Sequence, residues 1–414
     1  MLTNLNARLL RMSTTLLLSV CGAATAESTL TSRETVPDSA DHTSLQNAAA
    51  VGHDGRFFLA RNDGTFRLQI AGELQFRYYG TFNATSSVDD YESGFQHNRT
   101  RLEFRGNVID PRLTYRILTN FNRETGVLEL QDAYAEYELE NNTRIRWGQF
   151  KLPFDRESFA TGPTSVQGVE ASVLSSIFRL DRSQGIMLNF QAERWQIHAA
   201  LSDVRRALNT AYQSGAEAEF ALTGRAEFRL GHAPWKQFRD QTAFRGDKTG
   251  FLIGLGGHWQ QEGATGAPAS TTGTVNLYQC TIDVGFEADG WNALAAYTGR
   301  VFDGTGDSVY DSGGLIQAGV FVSEKAELFA RYTHLVPDDD RTGGHDDFAA
   351  VTGGLNWYFI PSSHALKFTG EVTWYPDPQA DSASLVKAPD TAIGLLGDSD
   401  GGQFTLGLQM QLLF

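Results

Sequence analysis

Alternate positions from residue 99 to 105 read Arg99, Arg101, Glu103 and Arg105, with Thr100, Leu102 and Phe104 between them. A strand turns alternate side chains to opposite faces, so three guanidiniums would share one face. A guanidinium keeps its charge and offers a planar fork of donors to phosphate oxygens. Further basic residues follow at Arg116, Arg144, Arg146, Lys151, Arg156 and Arg182. Two readings fit such a face. It could line a passage whose charges replace part of an anion's hydration shell, or it could be a solvated wall and no more. Asp132, Glu136 and Glu138 turn to the same side of an intervening segment, and neighbouring strands bring such side chains to about 5 Å. Paired arginines give a weaker anion field than free ones.

Other chemistry has less support. His53, His97, His198, His258 and His334 fall on different segments. No His-Glu-x-x-His or phosphate-binding glycine loop is present. A Ser–His pair assembled from distant segments would leave no trace in spacing, but the chain reads as a non-enzyme with no cofactor. Asp338, Asp339, Asp340, His345, Asp346 and Asp347 make either a set of oxygen ligands suited to Ca²⁺ or a solvated acidic loop. The net charge of −15 argues against nucleic acid as a partner.

The elements that must position these residues are strands. Over 66–78 the even positions are apolar or Gly and the odd ones mostly polar, as expected of a sheet with one face in lipid and the other in water. The alternation returns over 97–109, 112–122, 127–139, 143–151, 184–191, 194–202, 216–230, 250–260, 274–287, 290–300, 313–322, 325–336, 347–359, 364–375 and 402–414. With 66–82 these are sixteen segments, each long enough to cross a bilayer when tilted. Short links (110–111, 140–142, 191–193, 288–289, 323–324, 360–363) alternate with long ones (83–96, 152–183, 203–215, 261–273, 301–312, 337–346, 376–401). Short periplasmic turns alternating with long outer loops mark a bacterial outer-membrane barrel. The link 123–126 is short for an outer loop, and 231–249 is long for a periplasmic turn. The fold class is therefore all-β: a transmembrane antiparallel β-barrel of sixteen strands. Trp147, Trp195, Trp259, Trp291, Trp357 and Trp374 read as residues at the lipid interfaces.

Arg8 and Arg11, the apolar stretch 15–20 and Ala24-Thr25-Ala26 read as a cleaved export signal, residues 1–26. Its apolar part is too short to span a membrane as a helix. Lipidation at Cys21 is disfavoured because Val20 is not small. Without the signal Cys280 stands alone and reads as a small apolar strand residue. Residues 27–65 are expected to be a largely flexible periplasmic lead-in, and 66–414 the barrel, in a Gram-negative outer membrane. Phe404, Leu406, Leu408, Met410, Leu412 and Phe414 share one face of the last strand. A terminal Phe after apolar alternates resembles the signal read by outer-membrane assembly machinery, an expected partner. The longest link, 151–183, carries Val166, Val169, Val173, Leu174, Ile177 and Phe178 at a spacing that allows a short helix on a wall. It is expected to fold inward, with Lys151 and Arg156 facing Arg99, Arg101 and Arg105 across the gap; packing over the barrel mouth or a neighbouring subunit is the alternative.

Arg99-Thr100-Arg101-Leu102-Glu103-Phe104-Arg105-Gly106, Leu130-Gln131-Asp132-Ala133-Tyr134-Ala135-Glu136-Tyr137 and Arg146-Trp147-Gly148-Gln149-Phe150-Lys151-Leu152-Pro153-Phe154-Asp155-Arg156-Glu157 resemble segments of the phosphate-selective porin O and P family. Arg182-Ser183-Gln184-Gly185-Ile186 and the pair Arg331 and Tyr332 resemble it too. The detailed likeness covers roughly residues 95–190. It implies a sixteen-stranded homotrimeric porin in the lipid bilayer, with a third loop folded into the lumen and small anions such as phosphate as solutes. The acidic residues among the arginines depart from that pattern. Two classes of function remain: a passive diffusion porin for small hydrophilic solutes, or a plugged barrel that serves adhesion or structure.

Overall fold

A chain whose strands each carry one apolar and one polar face can satisfy its backbone in lipid only by closing on itself. The computed structural model, described for residues 49–83, 91–212, 214, 220–341, 346–377, 384–397 and 401–414, shows that closure. After a short hairpin, β1 (Ala49–His53) and β2 (Phe57–Arg61), come the barrel strands β3 (Phe66–Phe82), β4 (Tyr91–Val108), β5 (Asp110–Phe121), β6 (Leu128–Glu138), β7 (Thr143–Lys151), β8 (Arg182–Gln191), β9 (Trp195–Ser202) and β10 (Phe220–Gly231). They continue with β11 (Gly250–Gln261), β12 (Thr271–Ala288), β13 (Trp291–Gly306), β14 (Val309–Phe321), β15 (Ala326–Val336), β16 (Phe348–Tyr358), β17 (Leu366–Tyr375) and β18 (Gln403–Leu413). Each barrel strand pairs antiparallel with the next, and β18 pairs back onto β3, from Phe404 opposite Phe82 to Leu413 opposite Glu73.

All sixteen expected strands are present, with limits that move mainly at the outer ends. β4 begins at Tyr91 and β13 runs to Gly306, beyond the apolar alternation. Strand ends that project past the bilayer keep their backbone pairing but no longer need a lipid-facing side. The register agrees with the alternation: Ile70, Phe76 and Phe82 are exposed while Gln75, Arg77 and Thr81 are buried. On β18, Phe404, Leu406, Met410 and Leu412 face out, and Gln403, Thr405, Gln409 and Gln411 face in. The six tryptophans assigned to the lipid interfaces are all exposed on the outer surface, as is Cys280.

One element was not legible. Part of the segment read as a flexible lead-in forms the β1–β2 hairpin, and β2 pairs with β3 from Phe57 opposite Ile70 to Ala60 opposite Arg67. Residues 1–26 and the cleavage site lie outside the described residues.

The lumen is filled on one side. The third outer loop, residues 152–181 and called L3 here, is largely buried and carries helix α1 (Val173–Phe178), capped by the Ser172 hydroxyl accepting from the Ser175 N–H. Lys367 on β17 donates to the Val166 carbonyl (2.8 Å), and the Val169 N–H donates to Glu371 (3.0 Å). Val173, Leu174, Ile177 and Phe178 join Leu315 and Leu335 of the wall and Leu385 and Ile393 of the last outer loop in one apolar cluster. The long periplasmic turn 232–249, T4 here, also turns inward, and Phe238, Gln241, Thr242 and Ala243 are buried.

In the acidic loop, Asp338 accepts from the Tyr310 N–H (2.6 Å) and Asp347 lies 3.0 Å from His334; His345 is outside the described residues. Among the described residues no group of three or more His, Cys, Asp or Glu could hold a metal ion.

Candidate functional site

Two β-bulges decide which residues enter the lumen. In β3–β4 the pairing passes from Gln75 opposite Arg99 to Phe76 opposite His97, so Asn98 is extra. Before the bulge the odd residues face lipid: Phe95 and His97 pack on the outward Phe76, with ring centroids 5.6 and 5.1 Å away. After it the odd residues face inward, which turns Arg99, Arg101, Glu103 and Arg105 into the lumen. In β5–β6 the pairing passes from Leu118 opposite Asp132 to Thr119 opposite Leu130, leaving Gln131 extra and turning Asp132 and Glu136 inward. A bulge re-aims the side chains on its strand in this way.

The basic residues that face in are paired, but the carboxylates are shared. Glu103 lies 3.4 Å from Arg56, 3.8 Å from Arg105 and 3.3 Å from Arg116. Asp132 lies 3.0 Å from Arg116 and 2.5 Å from Arg182. Glu136 serves Arg144 at 3.7 Å and Arg146 at 2.7 Å. Three carboxylates thus serve six guanidiniums. Arg101 has Glu73 at 3.6 Å, and the Lys151 ammonium donates to the Ser158 carbonyl (2.6 Å) with no carboxylate within ion-pair distance among the described residues. With Asp181, 3.1 Å from Arg182, the wall carries eight cations against five carboxylates. One side chain of the set, Arg56, comes from the hairpin and carried no signal in the sequence.

A cavity of about 460 Å³ opens against this wall, lined by Arg56, Arg101, Arg116, Lys151 and Arg182 with Glu73 and Glu103. Its opposite side is the L3 limb 159–164, made of Phe159, Ala160, Thr161, Gly162, Pro163 and Thr164, none of them charged. The Thr161 hydroxyl is buried and without a partner. A second cavity of about 320 Å³ continues along Arg144, Arg146, His198, Trp235 and Arg239.

Two of the candidate residues are placed elsewhere. Arg99 is bound to Glu170 of L3 (2.6 Å), which Arg77 also approaches (3.3 Å). Burial alone would raise the Glu170 carboxyl; the Arg99 and Arg77 guanidiniums outweigh it and hold the group well below the ordinary carboxylate range. Arg99 therefore anchors the loop. Arg156 does not face the arginines of β4. It is buried against Glu287 of β12 (3.0 Å), with Phe238 of T4 beneath its guanidinium (5.5 Å to the ring centroid). The π-helical turn Arg156–Ala160 carries its side chain away from the cavity. Arg101, Arg105, Arg116, Arg144, Arg146, Lys151 and Arg182 share one wall.

The family model for phosphate-selective porin O and P matches residues 69–250, the stretch that holds both bulges and L3. Over that stretch the chain is similar to that family. Solved structures support the fold independently. An anion-selective porin from Comamonas acidovorans superposes with TM-score 0.59 at 9% identity, covering 84% of this chain and 99% of that chain. OmpF of Salmonella typhi, in complex with daunomycin, gives 0.55 at 12% identity over 85% and 99%. OmpT of Vibrio cholerae gives 0.53 at 12% identity over 84% and 98%. A sequence search of curated proteins finds no match. The chain has the fold of outer-membrane porins.

Proposed function

We propose that the pore passes small hydrophilic solutes and favours anions, phosphate among them. The observation that carries this reading is the excess of cations over carboxylates on the β4–β8 wall, in a chain of net charge −15. Shared carboxylates hold the guanidiniums in place without cancelling their field, so an entering anion meets donors already fixed in orientation. The similarity to an anion-selective porin from Comamonas acidovorans supports the same sign of selectivity. OmpT of Vibrio cholerae has been solved in a trimer form, and we extend trimer assembly to this chain. The protein refolded into a planar bilayer should give open steps whose reversal potential in a KCl gradient follows chloride, and phosphate should lower chloride conductance by competition. Cation-following potentials would overturn the reading.

The filled half of the lumen favours a second reading, a barrel plugged by L3, T4 and the last outer loop. The absence of any conductance step would support it.

A further inference from the structure

We infer that the β1–β2 hairpin is part of the selectivity apparatus, a collar at the periplasmic exit that acts through Arg56. The inference rests on the anion-preferring reading above and adds an element outside the sixteen barrel strands.

Closure leaves a gap that the hairpin fills. β18 reaches down β3 only to Phe414, which exchanges backbone hydrogen bonds with Gly72 (2.7 and 3.1 Å). Residues 66–71 of β3 project below it, and their outer edge would present unpaired backbone groups. β2 occupies that edge, from Phe57 opposite Ile70 to Ala60 opposite Arg67. The register then fixes the faces. Phe57 and Leu59, both exposed at the surface, point outward beside Ile70 and Leu68. Arg56, Phe58 and Ala60 point to the lumen side.

The hairpin tip is clamped from within. Asp54 is ion-paired to Arg67 and accepts from the Gln69 amide (3.3 Å). The Arg67 guanidinium sits over the Phe58 ring, 4.4 Å from its centroid. These contacts use up the tip's carboxylate. Arg56 is left to share Glu103 with two other guanidiniums, its side chain 30% exposed. Gly55 and Arg56 line the same cavity as Arg101, Arg116, Lys151 and Arg182. An anion leaving that cavity toward the periplasm passes a positive group that the barrel wall does not supply.

The test uses the whole protein in planar bilayers under a KCl gradient. Arg56→Glu should lower the anion-to-cation permeability ratio about fivefold, the order expected of a two-unit charge change a few ångström from an aqueous path. Arg56→Lys should keep most of the ratio. Arg61→Glu makes the same charge change on the same hairpin, on the outer face, where Arg61 meets Asp63 (2.7 Å); it should leave the ratio unchanged. Equal shifts from Arg56→Glu and Arg61→Glu, or no shift from Arg56→Glu in an anion-selective channel, would overturn the collar alone. A wild-type channel without anion preference would overturn both the collar and the reading beneath it. Heat-modifiable mobility on gels reports assembly for each variant, because β3–β18 closure does not involve Arg56.

Discussion

The backbone N–H of Gln241 donates to the carbonyl of Ser165 at 3.1 Å. The two residues enter the lumen from opposite ends, Gln241 on a periplasmic turn and Ser165 on an outer loop. The Gln241 side chain completes the clasp: it donates to Glu157 (3.2 Å) and accepts from the Gln167 N–H and the Gln317 amide, both at 3.3 Å. T4 thus supports L3 from below and sets how far its neutral limb stands from the basic wall.

Gln241→Ala should loosen that support. It deletes three side-chain hydrogen bonds in a buried setting, a loss of about 1–3 kcal/mol. Single-channel recordings should show larger and noisier steps than the wild type, and thermal unfolding should move down. Quiet steps of wild-type size would mean that L3 holds its position without T4.

Reversing the charge of the wall should reverse the sign of selectivity. Arg101→Glu with Arg105→Glu places two carboxylates near Glu73 and Glu103 and should abolish or invert anion preference. Arg156→Gln is the contrasting variant. Its guanidinium lies against Glu287, away from the cavity, so reversal potentials should stay at the wild-type value; a shift comparable to the double variant would place Arg156 on the path after all.

Removing residues 158–178 should raise single-channel conductance severalfold. It would also expose the wall side of the apolar cluster, Leu294, Leu315, Leu335 and Phe348. The wider pore should therefore unfold at a lower temperature, an outcome that circular dichroism in detergent can follow. Unchanged conductance would show that the loop does not limit flow.

Gly72→Val should impair closure. An added Cβ would meet the Phe414 ring at 2.3 Å, whereas at Gly94 it would meet nothing within 4 Å. Overpacking of this kind costs about 1–3 kcal/mol, and here it falls on the seam. The folded band on unheated gels should weaken for Gly72→Val and persist for Gly94→Val.

The strands were legible because lipid and water impose a period of two on every crossing, and β3 and β7 fall on the limits that the pattern gives. The inward face of β4 was legible for Arg99 to Arg105 only because they follow the bulge; the extra Asn98 leaves no mark in the sequence. Arg156 was misplaced because a loop has no period, and a π-helical turn rotates its side chain toward β12. The hairpin was missed for a different reason. Its five-residue strands are too short for a pattern, and what orders them is the free edge of β3, a property of the closed sheet and not of residues 49–61 themselves.

The limb 159–164 has a consequence for molecules that carry both signs of charge. A transverse field strong enough to turn a dipole needs opposite charges on facing walls, and here a cationic wall faces side chains with no charge at all. The field therefore grades solutes along one axis, from the basic wall to the loop, and fades toward the loop. A zwitterion would gain little from entering, since its attracted and repelled ends meet the same wall with nothing opposite to align them. Solutes would be sorted by net sign, with little control over the way round in which they travel.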